Sequence, residues 1–139
     1  MSKINIIYWS GTGNTEAMAK YIYDTCNKDN SKLLSVDKAE VKDVEEADVL
    51  FLGCSAMGDE VLEECEMEPF MESIEGAISG KKIALFGSYG WGDGQWMRDW
   101  EERITRCGGV LVEESIIANG EASDEEIEKL SNLGNKYSV

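Results

Sequence analysis

Residues 4–15 read Ile4-Asn5-Ile6-Ile7-Tyr8-Trp9-Ser10-Gly11-Thr12-Gly13-Asn14-Thr15, and Met18, Ile22 and Cys26 follow at four-residue spacing. The first six positions, apolar but for Asn5, form a β-prone run, the next six a polar glycine-containing loop, and the last three share one face of a helix. Strand, loop and helix in that order open a parallel α/β sheet. The succession then recurs without an internal repeat, a linker or a low-complexity segment. Lys32 to Val36 is a second strand, followed by a weak helical stretch over 41–47, and Val49-Leu50-Phe51-Leu52 is a third, whose unbroken apolar character suits burial on both faces. A long acidic loop covers 55–68. Pro69 then opens a helix carrying Phe70, Met71 and Ile74, and Ile83-Ala84-Leu85-Phe86 is the fourth strand. Trp96, Trp100 and Ile104 recur every four residues in a helix that Gly108-Gly109 stops. Val110-Leu111-Val112, resuming at Ile116-Ile117, makes the fifth strand. The last helix, capped by Ser123 or Asp124, carries Ile127, Leu130, Gly134 and Tyr137 along one face. Five such units in one short chain imply a single domain over residues 1–139, a doubly wound five-stranded parallel sheet with helices on both faces.

Composition narrows the chemistry. The chain has 139 residues, 13 Lys plus Arg, 28 Asp plus Glu and no His, for a formal charge of −15. Without histidine there is no Ser-His or Cys-His nucleophile, no imidazole-ligated metal and no imidazole proton shuttle. The negative balance disfavours nucleic acid and anionic membranes, whose phosphates are bound by Lys and Arg, and favours basic protein surfaces. Cys26, Cys54, Cys65 and Cys107 include no CxxC pair, which suits a reducing cytoplasm and cysteines that act as small buried hydrophobes. No run approaches the roughly 20 apolar residues of a membrane span.

In parallel sheets of this kind ligands bind beyond the carboxyl ends of the strands, which directs attention to three loops. Ser10-Gly11-Thr12-Gly13-Asn14-Thr15 is either a tight turn capped by Thr15 or a phosphate cradle of amides and hydroxyls at a helix N-terminus. Glu16 stands where a dinucleotide fingerprint requires glycine, and no Gly-Lys-Ser/Thr follows, so neither nucleotide motif is present. A cradle without Lys or Arg suits a phosphate that is held and not transferred. The second loop is Ser55-Ala56-Met57-Gly58-Asp59-Glu60 and the third Ser88-Tyr89-Gly90-Trp91-Gly92-Asp93-Gly94. Trp91, between two glycines, either stacks on a flat ligand or folds onto the helix below it, and Met57 suits a ligand's other face or simple packing. Trp96 and Trp100, at helical spacing, read as core.

Tyr8 to Thr15, Gly53 to Glu64 and Ala84 to Gly94 together resemble the flavodoxins, specifically their short-chain clostridial type, and the resemblance runs over nearly the whole chain. It implies a flavodoxin-like sheet of order 2-1-3-4-5 and a monomeric electron carrier with noncovalently bound FMN, not an enzyme. Ser10, Thr12, Asn14 and Thr15, with the Gly11 and Gly13 backbone, would hold the phosphate. Met57 and Trp91 would flank the ring, with Ser55 and Ala56 beside them. Glu60 would accept the hydrogen on flavin N(3), the Gly58-Asp59 peptide would face N(5), and Ser88, Tyr89, Gly90, Trp91 and Gly92 would line the pyrimidine edge. The match is poor around Asn119-Gly120-Glu121.

Two features bear on potential. Gly58 can turn its carbonyl toward a protonated N(5), favouring the semiquinone. Between Lys42 and Lys81 stand 12 acidic residues and no basic one. Each reads alone as part of a solvated face, but a carboxylate about 10 Å from a reduced anionic flavin costs about 1.7 kcal/mol at an effective dielectric near 20, or about 70 mV per electron. Low-potential shuttling between semiquinone and hydroquinone is the expectation, with ferredoxin-type donors and acceptors that dock through basic surfaces. The rival is an FMN-dependent reductase taking hydride from a nicotinamide; the short chain and the lack of cations near the loops stand against it. A phosphoaccepting receiver domain would need an aspartate after the third strand, where Ser55 stands.

Overall fold

Val49–Cys54 (β3) is buried at every position, because it runs through the middle of a parallel sheet covered on both faces. The computed structural model describes residues 2–57, 61–90 and 92–138. On one side β3 pairs in parallel with Ile4–Trp9 (β1), which in turn pairs with Ser31–Ser35 (β2); on the other it pairs with Lys82–Tyr89 (β4). The order 2-1-3-4-5 expected of the sheet is the order found.

The fifth strand is in two pieces. Val110–Leu111 (β5) pairs with Lys82 and Ile83 of β4, and Ile116–Asn119 (β6) pairs with Phe86 to Tyr89 further along the same edge. Val112 still donates its amide to the Ile83 carbonyl at 3.1 Å, but the chain then leaves the ladder through Glu113 and Glu114 before rejoining it. At the break the Glu113 carboxylate accepts from Lys136 Nζ at 2.6 Å and from the Tyr137 hydroxyl, which ties this segment to the last helix, while Glu114 is exposed.

The strands' alternation divides the core between two layers. Ile7, Leu50, Leu52, Ile83 and Leu85 face Met67–Ile74 (α3) and Gln95–Arg106 (α4), where Trp96 and Trp100 are buried as expected. The short helix Val41–Glu45 (α2) adds Val44 to this side. Ile4, Ile6, Phe51, Ala84 and Phe86 face the opposite way, against Asn14–Asp24 (α1) and Asp124–Tyr137 (α5). Among the described residues no helix is long and apolar enough to cross a membrane.

At the helix ends the structure decides between the alternatives that the sequence leaves open, and moves one start. Ser123, not Asp124, caps α5: its hydroxyl accepts from the Glu126 amide at 3.2 Å, and the Glu126 carboxylate accepts from the Ser123 amide at 2.8 Å. Pro69 does not open α3, which begins two residues earlier at Met67. Proline is tolerated there because amides of a first helical turn lack intrahelical partners. Nor does Thr15 cap α1. Gly13 holds the cap position with φ 98°, and Thr15 lies in the first turn, fully buried. Of the cysteines only Cys26 and Cys54 are buried; Cys65 is exposed, Cys107 is half-buried, and all four are free thiols.

Helices α1 and α5 cross at Gly134. A methyl group there would sit 1.9 Å from Thr25 Oγ1 and 2.3 Å from the Ile22 carbonyl, and Thr25 Oγ1 also donates to the Ser131 carbonyl at 2.6 Å. Alanine is better than glycine in a helix interior by about 1 kcal/mol, but overpacking typically costs about 1–3 kcal/mol, and at these distances backbone must move. Gly134→Ala is therefore expected to lower stability, measured as a reduced denaturation midpoint without loss of helical signal in the folded state.

Candidate functional site

The carboxyl ends of β1, β3, β4 and β6 lie side by side because all four strands run parallel. The loops leaving them are joined by hydrogen bonds. Thr15 Oγ1, at the start of α1, is 2.8 Å from Ser55 Oγ after β3 and accepts the Ser88 amide of β4 at 3.2 Å. The Ala56 amide donates to the Ser88 carbonyl at 3.0 Å. Ser88 Oγ donates to the Gly120 carbonyl at 2.7 Å, and the Gly120 amide donates to the Tyr89 carbonyl at 2.9 Å. One threonine hydroxyl thus sits where three loops meet.

These loops enclose a cavity of about 200 Å³ lined by Gly11, Thr12, Asn14, Ser55, Ala56, Met57, Ser88, Tyr89, Gly90 and Gly120. A larger hollow of about 640 Å³, bounded by Ser2, Ala47, Asp48 and Ser79 to Lys82, lies at the opposite, amino ends of the strands. Position decides between the two. Only the smaller one stands at the carboxyl ends and beside a helix N-terminus, where backbone amides and the helix dipole favour an anion.

Gly13 in the left-handed conformation starts α1 without a side-chain cap, so the cap residue itself does not satisfy the first amides of the helix. Ser10 Oγ accepts the Gly13 amide at 3.0 Å and so shapes the loop from within. Among the described residues no Lys or Arg lines the cavity. Hydroxyls and amides at one end suit a phosphate monoester, and Ala56, Met57 and Tyr89 supply apolar surface for a flat ring. Tyr89 is backed by Trp96, with ring centroids 5.5 Å apart, and Trp96 is fixed by donating its indole N–H to the Cys54 carbonyl at 3.2 Å. Among the described residues no group of His, Cys, Asp and Glu is arranged to hold a metal.

Of the residues singled out in the sequence, Gly11, Thr12, Asn14, Ser55, Ala56, Met57, Ser88, Tyr89 and Gly90 are brought together on the cavity wall. Ser10, Gly13 and Thr15 form its support, while Gly92 is exposed at φ 87° and does not line it. Gly58, Asp59, Glu60 and Trp91 lie outside the described residues. Gly120 was missed. Its segment matched no motif, and only the pairing of β6 with β4 carries it to the cavity. Asn119, paired with Tyr89 at the end of β6, is exposed.

The loop after β3 has a further anchor. Met57 and Val61 exchange two backbone hydrogen bonds of 2.9 Å, and each remains 41% exposed. Glu63, buried two residues on, accepts the amides of Cys65, Glu66 and Met67 at 2.6, 2.7 and 3.0 Å. Burial pushes the Glu63 carboxyl up, but the bonds from Met67, Cys65 and Glu66 outweigh it and hold it below the usual carboxylate range. Burial also pushes the Cys54 thiol up to about 12, against a hydrogen bond from the Glu63 backbone. Cys54 is therefore an unreactive thiol at neutral pH.

Removing the Thr15 hydroxyl while keeping the side chain's shape leaves the Ser88 amide unpaired in a buried place. Thr15→Val is expected to cost about 1–3 kcal/mol in chemical denaturation of the protein without ligand, whereas Thr15→Ser retains most of that stability.

Comparison with known proteins agrees with this geometry. Residues 6–134 match the flavodoxin family model. The chain is 52% identical over 125 residues to a flavodoxin of Clostridium beijerinckii, covering 88% of this chain and 91% of that protein, and 44% identical over 116 residues to one of Megasphaera elsdenii, covering 82% and 85%. The solution structure of two-electron reduced Megasphaera elsdenii flavodoxin superposes with a TM-score of 0.83 at 40% identity, over 96% of this chain and 98% of that one. With its sheet order, its uncharged cradle at the head of α1 and these relatives, the chain belongs to the flavodoxin family, whose members carry electrons on bound FMN and are not enzymes.

Proposed function

We propose that this flavodoxin moves single electrons at low potential, its FMN passing between half-reduced and fully reduced states, as one domain over residues 1–139 that works as a monomer in the cytoplasm. The observation that carries the reading is the pairing of an uncharged phosphate-sized cradle with an acidic surround. Gly11, Thr12 and Asn14 line the cavity, and Ser10 and Thr15 stand directly behind it. A hydroxyl that accepts an amide keeps its own hydrogen to donate, so Ser10 can support the loop and bind a phosphate oxygen together. Gly11 and Gly13 contribute backbone amides to the same end.

The remaining assignments follow the family pattern. Met57 and Trp91 would flank the ring, with Ser55 and Ala56 beside them, and Ser88, Tyr89 and Gly90 would follow its pyrimidine edge. By the same pattern Glu60 would take the N(3) hydrogen and the Gly58-Asp59 peptide would meet N(5); these three residues lie outside the described part of the chain. When bound, FMN supplies the redox chemistry. What this chain supplies is hydrogen bonding at the loops and negative charge: a protein of formal charge −15 with no cation among the described residues of the cavity wall disfavours adding the last electron.

Met57 and Val61 are exposed on a loop that also carries exposed Glu64 and Glu66, so the segment beside the cavity presents apolar side chains close in sequence to carboxylates. Such a face suits redox enzymes with basic docking surfaces around an apolar contact, in brief encounters.

The test is an anaerobic reductive titration of the FMN-loaded protein followed by visible absorption. Long-wavelength absorption of a neutral half-reduced flavin is expected to rise before bleaching; direct bleaching, or steady oxidation of NAD(P)H by the pure protein, overturns the reading in favour of a two-electron reductase. Docking is checked separately. Electron transfer to a basic-surfaced acceptor is expected to slow about tenfold or more as salt rises from millimolar to near-molar, and a rate independent of salt overturns the docking assignment.

A further inference from the structure

Glu63 is buried although its neighbours Glu64 and Glu66 are exposed, and a buried carboxylate needs compensation. It finds three amide donors at the head of α3. A short polar side chain at position 66, the cap position itself, would serve that helix as well. What a carboxylate from position 63 adds is a tie between the helix and the loop that precedes it. Leu62 is buried beside it, and Val61 is bonded twice to Met57, which lines the cavity. Upstream, the same loop is held by the Ala56 amide on the Ser88 carbonyl and by Ser55 on Thr15. Residues 55–57 are therefore held at Thr15 and Ser88, and residues 61–63 are held at the head of α3 through Glu63.

We propose that Glu63 is a positioning residue for FMN: by pinning residues 61–63 to the N-terminus of α3, its carboxylate holds the Met57–Val61 pair against the cavity in the geometry that sets the relative affinities for the cofactor's oxidation states. This rests on the FMN reading above. It also assigns to α3, which does not line the cavity, a part in setting potential, because its N-terminal amides are the surface on which the loop is anchored.

The experiment compares FMN-loaded wild type with Glu63→Gln, Glu63→Asp and Ile74→Val, measuring the FMN dissociation constant of each apoprotein, both one-electron potentials and the thermal midpoint. Glu63→Asp keeps the charge but cannot span the three amides. Ile74→Val trims the buried far end of α3 and leaves the loop untouched. Glu63→Gln and Glu63→Asp are both expected to weaken binding of oxidised FMN about tenfold and to change the separation of the two potentials, while Ile74→Val lowers only the midpoint. A tenfold difference in loss between adjacent oxidation states moves that potential by about 59 mV. If Glu63→Asp behaves as wild type and only Glu63→Gln shifts, the effect is charge and the inference is overturned. If both Glu63 variants lower the midpoint with potentials unmoved, Glu63 is a helix cap alone and the inference is again overturned. Failure of the wild-type apoprotein to bind FMN overturns the FMN reading and the inference with it, a result distinct from the other two.

Discussion

Everything functional in this molecule depends on the parallel pairing of β1 with β3 and of β3 with β4. Parallel strands end on the same side, so the loops that follow them are neighbours whatever their separation in sequence. Ser88 and Thr15 are 73 positions apart, yet the amide of one reaches the hydroxyl of the other. The pairing is stable because each central strand is apolar on both faces and each face has its own helical cover. Burial on that scale leaves the loops free to be polar, since they are not needed to hold the fold together.

Charge is distributed to match. Lys and Arg are few, and Arg103 is placed where it also supports packing: its guanidinium makes a 3.0 Å bond to Glu75 and a two-point contact with Glu68, tying α4 to α3. Hydrogen bonding to Glu68, then to Glu75, raises its already high pKa despite partial burial, so this cation is permanent. Most other ion pairs are exposed and contribute little. The consequence is a surface of net negative charge in which Arg103 is neutralised locally, and among the described residues no cation lines the cavity at the carboxyl ends of the strands.

The elements were legible where hydrophobic period and loop chemistry agreed. Ile4 to Trp9 came out at both its ends as expected, as did the burial of Trp96 and Trp100, because apolar spacing alone determines which face turns inward. The stretch from Ser10 to Thr15 was legible as the connection between β1 and α1, since glycine and hydroxyl residues between an apolar run and a helical pattern mark a turn. Thr15 was harder. Its position in the sequence suits a helix cap as well as a phosphate ligand, whereas its burial and its partners Ser55 and Ser88 arise from strands that the local sequence does not mention. Pro69 misplaced the start of α3 for a related reason: proline favours a first helical position, but three amides satisfied by Glu63 stabilise a start two residues earlier.

By itself the sequence determined the alternation of strands and helices, the order of loops that bear chemistry, the absence of imidazole and the acidic balance, because each depends on residue type and short-range spacing. Only the tertiary structure decided that the fifth strand is split, that Gly120 joins the cavity wall, that Thr15 links three loops and that Glu63 is buried on the head of α3. Those outcomes turn on hydrogen bonds whose donors and acceptors are matched only once the sheet has set its register and the helices have packed against it. A buried polar group takes the partner that the completed fold offers, and no local pattern names that partner in advance.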